Sequence, residues 1–183
     1  MDAKKIFVLA TVITLSVFIS APAAHASDNF VFDEIKILTN AQVAHLNEKS
    51  AALVEKRGCG AYIYIVDLVP EIYAISIGNM EIYAEAFFMK NNLGYGSDSN
   101  GMMLILETGD IQGERDYLLY TYGPCRKVFD NSTRERILNN KIVPLFKSAF
   151  NNGDFFAVAD FFLDSVEHEV ASKFKTGWRP NWP

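Results

Sequence analysis

Four oxygen-bearing residues stand out for chemistry: Asp33, Asp98, Asn100 and Asp130. Two of them lie in Gly96-x-Asp98-x-Asn100-Gly101, with Glu107 six residues on, which reproduces several positions of an EF-hand calcium loop. The first position, normally Asp, is Gly96, and Glu107 closes an apolar run where an EF-hand would open a helix. A true EF-hand is therefore not expected. Oxygen ligands on a loop can still hold a divalent cation, Ca2+ or Mg2+, when other segments complete the shell. The expected metal site is Asp33, Asp98, Asn100 and Asp130. The plainer alternative is that Asp130 caps a helix, Asn100 fixes a turn and the other two are solvated.

Other candidate chemistry is sparser. Asp67 follows an apolar run that reads as a central strand, the usual ligand side of an open α/β sheet, with Glu107, Asp110, Glu114 and Arg115 at the same end. It could bind Mg2+ or attack a phosphoryl group, but the expected Lys and second Asp are missing, and a strand-end hydrogen-bonding role is simpler. His45 and His168 fall on predicted helices and read as surface residues. No Walker-type phosphate loop and no Cys/His zinc spacing occurs. Cys59 and Cys125 have no histidine near them in sequence, so they are a disulfide candidate or else two separate thiols. A bridge would close a separation of 66 residues, roughly 4 kcal/mol in the chain-entropy picture.

The first 26 residues read as a signal peptide: Lys4 and Lys5, an apolar stretch from Ile6 to Ile19, then Ala24-His25-Ala26. The alternative, a membrane anchor, needs roughly 20 apolar residues, and this run stops before Ser20 and Pro22. Cleavage after Ala26 predicts an exported, periplasmic or secreted chain with no membrane span, in an oxidising compartment that favours disulfides. It also removes Asp2, Lys4 and Lys5, taking the net charge from −5 to −6. An acidic surface argues against nucleic acid and anionic membranes as partners.

The elements that must position these residues can be read in order. Ser27 to Leu38 is an extended N-terminal segment. Thr39-Asn40-Ala41-Gln42 forms a capping box, opening a helix to about Arg57 that Gly58 stops. Ala61–Leu68 is β-type and nearly all apolar, as a strand covered on both faces must be. A helix over Met80–Lys90 leads into a loop rich in turn formers, Asn91–Gly101, and then a strand over Met102–Glu107. Strand, helix, strand predicts a parallel crossover. Tyr117–Tyr122, after a short polar link, predicts an antiparallel partner and hence a mixed sheet. Ser132-Thr133-Arg134-Glu135 reads as a second capping box, Pro144 should kink or split the helix that follows, and Asp154 should cap a last helix. If the antiparallel strand lies beside Met102–Glu107, its end brings Gly123, Arg126 and Asp130 towards Asp98 and Asn100, and the extended segment could carry Asp33 there. Tyr95, Tyr120 and Tyr122 would flank the loop as a contact surface. The expected division is a leader 1–26, one domain 27–172 and a tail 173–183.

This order of elements and motifs resembles the TPM domain family, which includes exported bacterial proteins and a thylakoid-lumen protein of photosystem II repair. The resemblance is carried by Phe32-Asp33, Leu38-Thr39, Leu93-Gly94, Asn100-Gly101, Arg115, Gly123, Asp130, Ile142-Val143-Pro144-Leu145-Phe146 and Gly153-Asp154-Phe155. It departs at Gly123-Pro124-Cys125, where a second glycine is common in the family. The resemblance implies a Rossmann-like three-layer α/β/α sandwich with a small mixed central sheet. It also implies divalent-cation binding, weak acid-phosphatase activity or roles in membrane-protein maintenance. Two function classes follow: a cation-dependent binding or maintenance module with an envelope or membrane-protein partner, or a weak metal-assisted phosphatase.

Overall fold

The computed structural model describes residues 29–67, 77–109 and 117–173. The segment expected to be a leader, Asp110, Glu114, Arg115 and the residues past Lys173 lie outside the described residues. The centre is two strands buried throughout, β2 (Gly60–Val66) and β3 (Gly101–Glu107), which follow a short first strand, β1 (Val31–Asp33).

Full burial is possible because helices cover both faces, so alternate side chains feed two separate cores. Ala61, Ile63, Ile65, Met102, Leu104 and Leu106 point into the larger one. Tyr62, Tyr64, Val66, Met103 and Ile105 point into the smaller one. The first strand (Val31–Asp33) is a short edge parallel to β2, with Val31 opposite Ile63. The fourth, β4 (Tyr117–Tyr122), runs antiparallel to β3, with Leu104 opposite Leu119. The sheet order β1-β2-β3-β4 is the mixed sheet expected.

Helix α1 (Asn40–Arg57) contributes Leu46 and Leu53 to the larger core. Its start is the predicted reciprocal cap between Thr39 and Gln42, and Gly58 ends it in the left-handed region at φ 62°. Helix α2 (Ile77–Lys90) covers the opposite face with Met80, Ala84 and Phe88. A short helix α3 (Cys125–Val128), then α4 (Asn131–Ile137), α5 (Val143–Asn152) and α6 (Phe155–Lys173) complete the layer on the α1 side.

One terminus reading needs adjusting. Helix α4 is capped by Asp130, whose Oδ1 accepts the Thr133 N–H at 2.8 Å, so the box expected at Ser132 does not form; the earlier carboxylate reaches the same orphan donor first. Pro144 does split its helix. Lacking an N–H, it leaves the carbonyl four residues back without its usual donor, and the chain widens into a π-helical turn over Leu138–Ile142 before α5 begins. Asp154 caps α6 as expected, accepting the Ala157 N–H at 3.1 Å.

α1 and α6 are also joined at the surface. Lys49 Nζ lies 2.6 Å from Asp160 Oδ1 and 2.7 Å from Asp164 Oδ1, and His45 Nε2 is 3.1 Å from Asp160. Partial burial alone would raise the Asp160 carboxyl, but Lys49 and His45 outweigh it and hold that carboxyl below its usual range. Its contribution is therefore complete above the unfolded carboxylate value, about 3.9, and is lost as pH falls through the lower folded value. Denaturant titrations should show Asp160→Asn less stable than the parent at pH 7 and converging with it near pH 2. Phe162, fully buried between α6 and the sheet, should cost about 3–5 kcal/mol as Phe162→Ala in the same assay.

Candidate functional site

After α2 the chain reverses through Asn92 (φ 50°) and Gly94 (φ 98°). Gly94 is obligatory here, since a Cβ on it would stand 2.3 Å from the Ser99 carbonyl. Its N–H donates to the Tyr62 hydroxyl at 2.9 Å, fixing the loop to β2. Tyr95 and Asn100 then pair: the Tyr95 N–H donates to the Asn100 carbonyl at 2.9 Å and the Asn100 N–H to the Tyr95 carbonyl at 2.8 Å. Residues 96–99 are thus a tight turn whose own backbone bonds determine its shape.

Asn100 is the side chain that organises this end of the sheet. It is 1 % exposed. Its Nδ2 donates to the Gly58 carbonyl at 2.6 Å, and its Oδ1 accepts the Cys125 N–H at 2.7 Å. One amide thereby ties the end of α1, the start of β3 and the start of α3. Asp98 sits on the same rim with its side chain exposed. Its backbone carbonyl lies 2.6 Å from where a Gly123 Cβ would stand, and Gly123 takes φ 61°, so the turn between β4 and α3 accepts only glycine there. Pro124 next to it is helical, at φ −56°, and leads directly into α3.

The four expected ligands are not gathered in one place. Asp33 ends β1 opposite Ile65, at the far end of the sheet from Gly101, and its carboxylate accepts the Leu38 N–H at 2.8 Å and the Ile37 N–H at 3.2 Å. A parallel edge strand carries its C-terminus away from the loop, which is why the extended segment does not reach it. Asn100 does share the rim with Asp98 and Asp130, but both atoms of its amide already have protein partners. Asp130 is exposed and also accepts the Ser132 hydroxyl at 2.9 Å. Among the described residues no three His, Cys, Asp or Glu side chains lie close enough to share a metal. Asp67 is exposed at the end of the sheet opposite this rim.

The tyrosine surface needs a correction as well. Tyr120 is 1 % exposed, packed edge-on against Phe88, while Tyr95 and Tyr122 are half-buried. Burial pushes the Tyr120 hydroxyl up to about 12, with Glu85 adding to the shift and Arg126 opposing it. It remains a neutral core phenol at any physiological pH.

What replaces that surface is a groove of about 930 Å³ beside the rim, lined by Glu81, Gly123, Arg126, Lys127, Asp130 and Arg134 among others. Arg134 is anchored, its guanidinium donating to the Leu119 carbonyl at 3.3 Å and lying 3.6 Å from Glu81. Arg126 and Lys127 are exposed and form no ion pair among the described residues. The sequence carries their signal as adjacent cations straight after Gly123-Pro124-Cys125 in an acidic chain.

With this geometry in view, the relationships of the chain are clear. The TPM domain family model matches residues 31–177. The chain belongs to the TPM domain family. Solved structures share its fold: the N-terminal domain of a P. gingivalis protein (TM-score 0.56, 18 % identity, covering 79 % of this chain and 81 % of that one) and the N-terminal domain of a Corynebacterium glutamicum protein (0.57, 12 %, 84 % and 87 %). A protein from the psychrophilic bacterium Bizionia argentinensis is similar too (0.51, 9 %, 76 % and 86 %). No curated protein matches the chain.

Removing the Asn100 amide strands a buried donor and a buried acceptor together. Asn100→Ala should lower stability by about 2–4 kcal/mol, whereas Asp98→Ala, exposed and outside the clamp, should stay within about 0.5 kcal/mol of the parent. Equilibrium denaturation of both variants checks the contrast.

Proposed function

We propose that this TPM domain works as an exported binding module of the cell envelope, and that it grips an anionic segment of an envelope or membrane protein in the groove beside the Asn100 rim. The observation that carries the reading is the exposed Arg126–Lys127 pair, unpaired among the described residues, on a groove of about 930 Å³ in a chain of net charge −5. An acidic protein that concentrates exposed cations in one concave place attracts and orients anions there, while the rest of its surface repels them. Asp98 and Asp130 border the same region, and a divalent cation held between them and a partner's carboxylates would make the contact cation-dependent.

A second reading, a weak metal-assisted acid phosphatase, has one observation on its side. The Ser132 hydroxyl is hydrogen-bonded to Asp130 at 2.9 Å inside the groove that also holds Arg126. A hydroxyl next to a carboxylate and a guanidinium suited to phosphate oxygens is a combination that phosphoryl chemistry can use.

Calorimetry with a glutamate-rich peptide, with and without Ca2+, separates these readings when run beside a p-nitrophenyl phosphate assay. The binding reading expects salt-sensitive heat that falls about tenfold in affinity for Arg126→Glu and again for Lys127→Glu. Absence of binding together with hydrolysis abolished by Ser132→Ala reverses the preference.

A further inference from the structure

Cys59 and Cys125 take no part in the groove, yet the fold converges on them. Cys59 directly precedes Gly60, whose register partner Gly101 in β3 is paired in turn with Tyr122, the last residue of β4. Cys125 follows that strand by one turn and opens α3. The Asn100 amide bonds the carbonyl of Gly58, the residue before Cys59, and the N–H of Cys125 itself. Both side chains are thiols in the structure, buried at 1 % and 0 % exposure in the same core, and Cys59 is the neighbouring thiol that helps to raise Cys125.

We propose that Cys59 and Cys125 are joined by a disulfide in the working protein, duplicating covalently the clamp that Asn100 makes with hydrogen bonds. The proposal rests on the reading that the chain is exported, because only an oxidising compartment maintains such a bridge. Its chemistry is thiol–disulfide exchange with a disulfide oxidant, either an oxidoreductase or oxidised glutathione. One cysteine thiolate attacks the oxidant's sulfur and displaces a thiolate, giving a mixed disulfide. The second thiolate then attacks the protein sulfur of that mixed disulfide and displaces the oxidant's other half. Two protons and two electrons leave the protein, and the oxidant departs as two thiols.

The fold also dictates when this happens. Burial, helped by the neighbouring thiol, pushes the Cys125 thiol well above the usual range. Once the core has closed, the thiolate needed for attack is scarce and the oxidant has no path to it. The bridge therefore forms while the chain folds. It then fixes the α1–β2 and β4–α3 junctions relative to one another, which preserves the shape of the groove. This makes it a structural staple instead of a reversible switch.

The test begins with the purified protein, unfolded and reduced, then refolded in a glutathione redox buffer and alkylated in denaturant. The expected product is a monomer about 2 Da lighter than the reduced chain that takes up no alkylating agent. Reductant should then lower its Tm by roughly 10 °C, and should leave the Tm of the C59S/C125S double variant unchanged. Two alkylated thiols after refolding, or a bridge between two chains, overturns the proposal. Blocking thiols at lysis of the producing cells separates the two readings: a protein that bridges on refolding but is recovered reduced in the cytoplasm contradicts export and leaves the pairing geometry intact.

Discussion

Two hydrogen bonds from one buried amide set the geometry of the end of the molecule that matters. Asn100 holds Gly58 and Cys125 simultaneously, so the stop of α1, the first residue of β3 and the first turn of α3 cannot move independently. Each bond contributes only about 1 kcal/mol net, but leaving either partner unmet in a dry site costs more than that. Aspartate offers no donor for Gly58 and would bury a charge, and leucine offers neither group. The glycines at 94 and 123 belong to the same construction: both have positive φ, and both let backbone from the 98–99 turn approach more closely than a Cβ allows.

That rim lies at the N-terminal end of β3, away from the C-terminal strand ends where open α/β sheets usually place ligands. The antiparallel fourth strand explains the exception. By running back along β3, β4 delivers its own C-terminus, and the cationic turn after it, to the loop before β3. The result is a concave region with Arg126 and Lys127 on one side and Asp98 and Asp130 nearby, on a protein whose net charge has the opposite sign to that pair of cations. Electrostatics of this kind sets encounter rate and orientation more than affinity.

Much of the fold was legible in the sequence because its signals are local. The Thr39–Gln42 cap, the Gly58 stop, the apolar strands at 61–66 and 102–106, and the disruption at Pro144 are each decided by residues within a few positions of one another. The mixed sheet followed from the short polar link before Tyr117. The site was harder, because its composition depends on which segments meet. Asp33 looked like a ligand until the parallel pairing of β1 put it at the other end of the sheet. Asn100 looked like a ligand too, and only the positions of Gly58 and Cys125 show that both its polar atoms are already taken. Ser132 and Glu135 had the right spacing for a capping box, but Asp130, two residues earlier, competed for the same N–H and won. Tyr120 alternates on β4 in a way that one strand cannot reveal, since its face becomes interior only when α2 packs over it.

The account stands or falls on which end of the sheet a partner touches. The most direct measurement is site-specific photo-crosslinking in the producing cells, with the crosslinking residue placed at position 126 in the groove or at position 37, exposed at the opposite end. The account predicts a discrete envelope-protein adduct from position 126 and none from position 37. An adduct from position 37 with none from 126 would contradict it.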